Sequence, residues 1–545
     1  MPELRSSPAE PFRTTFFLSP VIAGLLILAW GFLWWQYTVD DTFITLRYAG
    51  NLAQGNGVVF NPGDYTEGYS STVWVFVLAG IARLGFDTLA AAKVLGLLAS
   101  LSLCLLMYFV LHRMSVDPPI RFLTVLVLAT IPGLHIHGVS GMETLPFALS
   151  IAVLIALPLL TSSPHLRNLL LPPLLLLIAA FRPEGVLLFA AASAVWIIRA
   201  QRSRLRILVI LAWVALILLF VLRYWYYGSL LPNTWMAKPS PLLHHLTRDP
   251  FSAGSMTTLI GAFGHVFLAF PGGLVGAVFL LPLMILPVLR RQDLVRCSAI
   301  AAALTGGLFV TYAAEDWMPG YRFALPYQFP LLLLAAIGVQ SVLHGTKPGT
   351  GRQRRGIVIA VAAMLFVYNT GMTAYWFHRY RNTTVNPALD AAQYAPIGTW
   401  LKRHSSPGDR ILAYEVGAVS YYSERSVVDY EGLVTREVAN IVRGTAGYDA
   451  IRYGGDTGAM RRIVAYCVAQ DPDYLLIRSS DTAQIVPGRP LDPVVASEAI
   501  QRALVAAFGS LLTVRTVFPL KQHDTTSRDR YVLLGRRSQT RFHDR

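Results

Sequence analysis

Charged side chains are scarce in this sequence. Asp, Glu, Lys and Arg make up 14% of its 545 residues, against about 25% in an ordinary soluble domain. With 54% hydrophobic residues and a mean hydropathy of +0.48, that shortage excludes a soluble enzyme as the whole chain. Cysteine is scarcer still. Cys104, Cys297 and Cys467 stand far apart, which excludes a disulfide framework or a CxxC metal site and leaves the redox compartment open. There is no internal repeat, no HExxH signature, and no GK[ST] ending to the glycine- and arginine-rich stretch from Gly345 to Arg355, which reads as a solvated linker. Acids are outnumbered by bases, 31 to 46, for a net charge of +15. The bases sit in short loops between apolar runs, the distribution of membrane topology signals and not of a nucleic-acid surface.

What the sequence has in quantity is long apolar runs. They fall near residues 15–36, 89–111, 122–133, 145–160, 169–180, 185–198, 207–224, 257–289, 297–313, 323–343 and 357–376, which predicts a polytopic α-helical membrane protein with about 11 crossings. Several runs are shorter than the roughly 20 residues of a full span, and 257–289 is too long for one, so re-entrant or interfacial segments are expected among them. Phe16 to Trp35 has no small-residue cleavage site after it and reads as a retained helix. With the N-terminus inside, the clusters Arg113/Arg121, Arg199/Arg202/Arg204/Arg206, Arg290/Arg291/Arg296 and Lys347/Arg352/Arg354/Arg355 all fall in the cytoplasm. The loop 37–88, the tract His135 to Thr144, the turn at Arg182 to Glu184, Trp225 to Met256, Glu315 to Arg322 and everything after His378 then face out. Residues 1–376 form the membrane domain in this reading. Hydropathy drops over 377–545, where a helix from Asp390 to His404 and strands at Arg410 to Tyr414, Tyr474 to Arg478, Thr513 to Phe518 and Tyr531 to Gly535 predict a soluble α/β domain.

The unusual polar residues gather on that outer side. Asp40 and Asp41 follow the Trp34/Trp35/Tyr37 belt directly. Adjacent carboxylates at a helix end repel one another, so one of them is suited to proton abstraction; the same pair can instead begin a helix facing water. The loop continues through Gly55-Asn56-Gly57 and Asn61-Pro62-Gly63 to Glu67, Tyr69, Ser70 and Trp74, the polar and aromatic mix of a sugar-contacting surface. Glu143 and Glu184 lie at membrane depth and are expected to pair with Arg182 or Arg322. Arg182, Arg322 and Lys238 are outward cations suited to a lipid phosphate. Paired carboxylates also leave room for Mg²⁺ or Mn²⁺, although too few ligands are visible to require a metal. His135 and His137 fit no metal-ligand pattern. For Asp429 and Glu431, a solvated loop and an acceptor-facing role are both open. A transporter or lipid flippase also concentrates intramembrane charge, but repeated halves are missing and the polar residues lie on one side.

Several strings together carry a resemblance: Asp40-Asp41-Thr42-Phe43-Ile44-Thr45-Leu46-Arg47-Tyr48, Phe60-Asn61-Pro62-Gly63, Glu67-Gly68-Tyr69-Ser70-Ser71 with Trp74, Gly141-Met142-Glu143-Thr144, Arg182-Pro183-Glu184-Gly185, Leu231-Pro232-Asn233-Thr234 with Lys238, and Asp316-Trp317-Met318-Pro319-Gly320-Tyr321-Arg322. Gly417-Ala418-Val419-Ser420-Tyr421-Tyr422 and Val428-Asp429-Tyr430-Glu431-Gly432-Leu433 follow in the tail. In this order they resemble the GT-C-type glycosyltransferases that use polyprenyl-phosphate sugars, in particular the terminal β-arabinofuranosyltransferases of actinobacterial arabinan synthesis. One departure is Ala314-Glu315 where the family has Gly-Gly. The resemblance implies a multi-pass enzyme of the bacterial cytoplasmic membrane, working on its outer face. The sugar, arabinofuranose by resemblance, would pass from a polyprenyl-phosphate donor to a cell-envelope glycan or protein acceptor, with no nucleic acid involved. On such a site Asp41, ahead of Asp40, is expected to act as base or to stabilise positive charge at the anomeric carbon, with Arg322, Arg182 and Lys238 on the departing donor phosphate; Asp316, Glu143, Glu184, Asn233 and Tyr321 are expected around the donor, and Glu67, Tyr69, Ser70 and Trp74 toward the acceptor. An oligosaccharyl- or O-mannosyltransferase-like enzyme shares this architecture.

Overall fold

The computed structural model describes residues 18–200, 203–238, 240–289, 293–313, 318–344, 351–382, 391–445, 447–479, 485–519 and 530–536. Asp316, with Ala314, Glu315 and Trp317, lies outside the described residues, as does 345–350 of the expected linker; Gly351 already begins a helix.

The N-terminal two-thirds is a helical bundle. Its helices are α1 (Leu18–Leu33), α2 (Asp40–Ala53), α3 (Thr72–Arg83), α4 (Thr88–Arg113), α5 (Pro118–Ala129), α6 (Pro132–Gly138), α7 (Thr144–Leu160), α8 (Pro164–Phe181) and α9 (Gly185–Ala200). There follow α10 (Ser203–Tyr227), α11 (Asn233–Ala237), α12 (Pro241–Arg248), α13 (Ala253–Leu268), α14 (Gly273–Leu289), α15 (Leu294–Ala313), α16 (Gln328–His344) and α17 (Gly351–Asn382). Local chemistry sets several starts. The Ser71 hydroxyl accepts the Trp74 N–H at 3.3 Å to open α3, and the Asp87 carboxylate accepts the Ala90 N–H at 2.9 Å to open α4. Two apolar stretches break. Ile131 precedes Pro132 and is held extended, so α5 and α6 meet at 49°; α13 and α14 meet at 80° around Pro271 and Gly272, whose φ is +82°.

Each apolar run of the sequence falls on one of these helices or on a bent pair. By length and composition six described helices can cross a membrane, or eight if each bent pair is one span. The runs 15–36, 145–160 and 185–198 correspond to helices of 17 residues or fewer, so length alone does not reach the expected eleven. The loop 37–88 is itself about half helical, with α2 and α3 on either side of an irregular stretch over 54–71. At its start Trp34, Tyr37 and Tyr380 pack ring to ring at 5.3–5.4 Å, tying α1 to the end of α17 in an aromatic belt.

The C-terminal region is α/β. Strands β1 (Arg410–Ala413), β2 (Ser426–Asp429), β3 (Tyr474–Ser479), β4 (Leu512–Pro519) and β5 (Arg530–Arg536) form one sheet in the order β2-β1-β3-β5-β4. β1 runs parallel to β2 and β3, while β5 is antiparallel to β3 and β4. The short helix α18 (Ala395–His404) precedes β1, α19 (Gly417–Ser423) crosses from β1 to β2, and α20 (Arg436–Arg443) follows β2. The carboxyl ends of β1 and β2 therefore point one end of the sheet, where open α/β folds place ligands, toward α2 of the bundle.

Candidate functional site

Asp40 and Asp41 open α2, where carboxylates complement the exposed N–H groups and positive end of the helix. They divide there. Asp40 is buried, and its two oxygens accept the N–H groups of Gly417 and Ala418, each at 2.8 Å, so it closes the start of α19 across the interface. The fit leaves no room for a side chain at Gly417, where a Cβ would stand 2.1 Å from the Asp40 carbonyl oxygen. Burial pushes the Asp40 carboxyl up to about 7; the two N–H bonds oppose this, and Asp41 and Asp429 add to it.

Asp41 keeps partial exposure and faces Arg322, whose Nη1 lies 3.8 Å from its Oδ2. The Arg322 guanidinium lies over Phe323 at 4.8 Å, and its Nε is buried with no hydrogen-bond partner among the described residues. Its place depends on an unusual backbone: Gly320 and Tyr321 have φ of +80° and +55°, a conformation that costs a non-glycine residue about 1 kcal/mol or more. Gly320 packs against Gly133 of α6, and the neighbouring Pro319 carbonyl accepts the His137 Nε2–H at 2.9 Å, which gives this histidine a structural task.

Arg182 is placed differently. It binds Glu143 at 2.8 Å and Glu184 at 2.5 Å, with all three side chains at most 5% exposed. The pairing expected of the two glutamates is present, and Arg182 supplies both bonds, so this cation is already committed. Lys238, just past α11, is exposed.

The strings of the outer loop fold inward. Glu67 is buried 2.9 Å from Arg223 of α10, and burial pushes its carboxyl up to about 7 against that cation. The Tyr69 and Tyr227 hydroxyls meet at 3.0 Å, and Trp74 Nε1 donates to the Gly141 carbonyl at 3.0 Å. Ser70 is half-buried. Glu67, Tyr69 and Trp74 thus shape the loop from within. Asn233 donates its amide to the Gly432 carbonyl at 2.5 Å while its own N–H reaches the Glu67 carbonyl at 2.7 Å. Asn61 clasps Val427 of β2 through both its N–H and its C=O, at 3.0 and 2.9 Å. Arg47 donates to the carbonyls of Ser420 and Arg425 at 3.3 and 3.4 Å. Residues from separate motifs therefore form the joint between bundle and sheet.

That joint brings further carboxyls to the same place. Asp429, at the end of β2, accepts the N–H groups of Glu431 and Val434 at 2.7 and 2.9 Å, and this fixes the turn that carries Glu431. Burial raises both carboxyls. Lys238 opposes the rise at Glu431, whereas Asp429 and Asp41 reinforce it. Glu415, beyond β1, accepts the Tyr531 hydroxyl at 3.1 Å and is pushed up to about 8, by burial first and then by Asp40. In the sequence nothing sets Glu415 apart and Glu431 fits a solvated loop as well as an acceptor-facing place; each merely follows a short β-branched or apolar run. Around Asp41 the result is an acid, Glu431, and two cations, Arg322 and Lys238. As a divalent-cation site the aspartate pair fits poorly, because both Asp40 oxygens hold N–H groups; among the described residues no three His, Cys, Asp or Glu side chains are grouped to hold a metal.

Residues 368–533 match a family described as a domain of unknown function, DUF8728. The terminal β-(1→2)-arabinofuranosyltransferase of Mycobacterium tuberculosis is 31% identical over 246 residues, which is 42% of this chain and 38% of that relative. The chain therefore spans well under half the length of this curated relative. Among solved structures, the archaeal oligosaccharyltransferase AglB of Archaeoglobus fulgidus, with an inhibitory peptide and a dolichol-phosphate, aligns at TM-score 0.54 and 11% identity over 86% of this chain and 70% of its own. ArnT of Cupriavidus metallidurans bound to undecaprenyl phosphate aligns at 0.52 and 12% over 96% and 98%. The chain has the GT-C fold of these membrane enzymes, and with its apolar helices it is a multi-pass membrane protein.

Proposed function

From a GT-C fold shared with proteins seen holding lipid phosphates, we propose that this chain is a glycosyltransferase. It moves a sugar, arabinofuranose by similarity to its relative, from a polyprenyl-phosphate donor to a cell-envelope glycan on the outer face of the cytoplasmic membrane. The observation that carries the reading is the facing of Asp41 and Arg322 at 3.8 Å, beside the carboxyl ends of β1 and β2. Such a site has no nucleotide sugar within reach, and a lipid-linked donor crosses that barrier with its chain in the bilayer. Asp41 takes the proton from the attacking acceptor hydroxyl as the new glycosidic bond forms. The bond from the anomeric carbon to the phosphate oxygen breaks with its electron pair on the phosphate. Arg322, whose Nε–H has no partner among the described residues and whose cation is already turned toward the carboxylate, receives that charge together with Lys238. Asp40 positions α2 and the sheet and does not touch substrate. Arg182 with Glu143 and Glu184 is a buried brace behind Phe323, over whose ring Arg182 lies at 5.5 Å. Glu431 faces the acceptor as a second carboxyl, and no step passes through a metal.

The test is transfer of labelled arabinofuranose from a synthetic polyprenyl-phosphate donor to an arabinan oligosaccharide by the purified full chain. Asp41→Asn is expected to lower turnover by about 10²–10⁴-fold with folding intact, and Arg322→Gln to weaken use of the donor. Full activity in Asp41→Asn sinks the assignment of the base. Lipid movement across vesicles without any sugar transfer sinks the enzyme class.

A further inference from the structure

A second feature lies at the far end of the bundle. A cavity of about 450 Å³ opens between α5, α14, α16 and α17, and apart from Thr124 and Arg354 its lining is apolar. On α17 the lining residues Arg354, Val358, Val361 and Leu365 recur at the three- and four-residue spacing of one helical face. From Arg354 to Leu365 that face rises about 16 Å, close to half of a hydrocarbon core roughly 30 Å thick. Just beyond, Asn369 is buried and plugs the groove: it accepts the Gly272 N–H at 3.2 Å and reaches the Thr130 hydroxyl at 3.4 Å. The groove is thus one leaflet deep, closed toward the Asp41 end and open at Arg354. Water gains no partners in an apolar cavity, so this space is expected to be dry or filled by hydrocarbon. At its mouth Arg354 is exposed, while the nearby acid, Asp117, is engaged by His344 at 3.0 Å and Gln340 at 3.2 Å.

We propose that this groove binds an anionic phospholipid of the leaflet farther from Asp41, with one acyl chain along α17 and the phosphate on Arg354. A donor polyprenyl lipid is a poorer match, because its phosphate would have to sit at the opposite end of the bundle from Asp41 and Arg322. The bound chain would fill the space between α17 and its neighbours and brace that helix.

The experiment is lipid titration of the delipidated full chain in detergent, followed by native mass spectrometry. The probes are phosphatidylglycerol, phosphatidylcholine with the same acyl chains, and undecaprenyl phosphate. One phosphatidylglycerol per chain is expected to bind at about five-fold lower concentration than phosphatidylcholine, the worth of one arginine to an anionic headgroup. Arg354→Gln, a surface change, should erase that preference, and Ala362→Trp, which fills the groove from α17, should reduce binding of both lipids. Equal binding of the two headgroups by the unaltered chain, or an undiminished preference in Arg354→Gln, overturns the proposal. So does displacement of phosphatidylglycerol by an equal amount of undecaprenyl phosphate, which would assign the groove to the polyprenyl lipid.

Discussion

Replacing Asp40 with Asn should change how stability depends on pH more than it changes stability at any single pH. Burial lifts the Asp40 carboxyl from 3.8 to about 7. Between those values the folded chain keeps a proton that the unfolded chain has released. The Asp40 contribution is therefore full below the unfolded value and drains away as pH rises toward the folded one. The whole difference amounts to about 4 kcal/mol, at about 1.4 kcal/mol per pKa unit. Roughly 3 kcal/mol of it falls between about pH 5 and pH 8. Asparagine cannot titrate. It also offers one oxygen to the two N–H groups of Gly417 and Ala418, so one buried donor is left unpaired at a cost of about 1–3 kcal/mol. Denaturant unfolding of the full chain in mild detergent, repeated across that pH range, measures both effects. Glu67 has a raised carboxyl too and stays in the variant, whereas Glu415 is raised in part by Asp40 and eases when that charge is removed, so the gap between the two curves reads Asp40 together with this coupling. The advantage of the unaltered chain should be largest at low pH and fall by roughly 3 kcal/mol between about pH 5 and pH 8, enough to bring the two curves together and across one another. Parallel curves would refute the reasoning, because Asp40 would then carry no excess proton in the folded chain.

Three other outcomes follow from the same geometry. Arg182→Met strands Glu143 and Glu184 in the interior and should cost about 3–5 kcal/mol in unfolding free energy; adding Glu143→Gln and Glu184→Gln should recover part of it. Asn61→Ala removes both bonds to Val427 and should weaken docking of β2 by about 1–3 kcal/mol, seen as faster hydrogen exchange at the Val427 amide. Because the Glu431 carboxyl is raised, it ionises only as the solution becomes more alkaline, and its charge then competes for Lys238. The donor KM of the unaltered chain should accordingly rise with pH, while that of Glu431→Gln stays flat.

The bundle was legible because apolar runs leave their mark on sequence at the scale of a whole helix. Even the over-long run 257–289 and the short one at 122–133 correspond to the two bent pairs. Four of the five strands were legible for the same reason. The fifth, β2, is no shorter than β1 at four residues, but Pro407 and Gly408 mark the start of β1 while no glycine or proline stands just before β2. The two aspartates were the harder problem. Neighbours on a helix point about 100° apart, so chemistry that looks doubled in sequence separates in the fold, and only the position of α19 reveals which carboxylate is occupied. Arg182 and Arg322 were alike in the sequence as outward cations. They differ because two glutamates converge on the first, and that convergence brings together residues 39 positions apart. The loop from Glu67 to Trp74 had the composition of a binding surface, but composition does not distinguish a tyrosine offered to a sugar from one bonded to Tyr227.

The bonds from Asp40 to Gly417 and Ala418 also set a timetable. They join positions 377 and 378 residues apart, and at a synthesis rate of about 5–20 residues per second the second partner follows the first by roughly 20 to 75 s. Until then Asp40 has no amides to hold, and Asp41 stands beside an unfinished wall. A nascent chain can insert most of its helices before the candidate site is assembled. The proposed activity therefore requires the sheet to have been made and brought against α2, so the candidate centre is complete only once synthesis has reached that far.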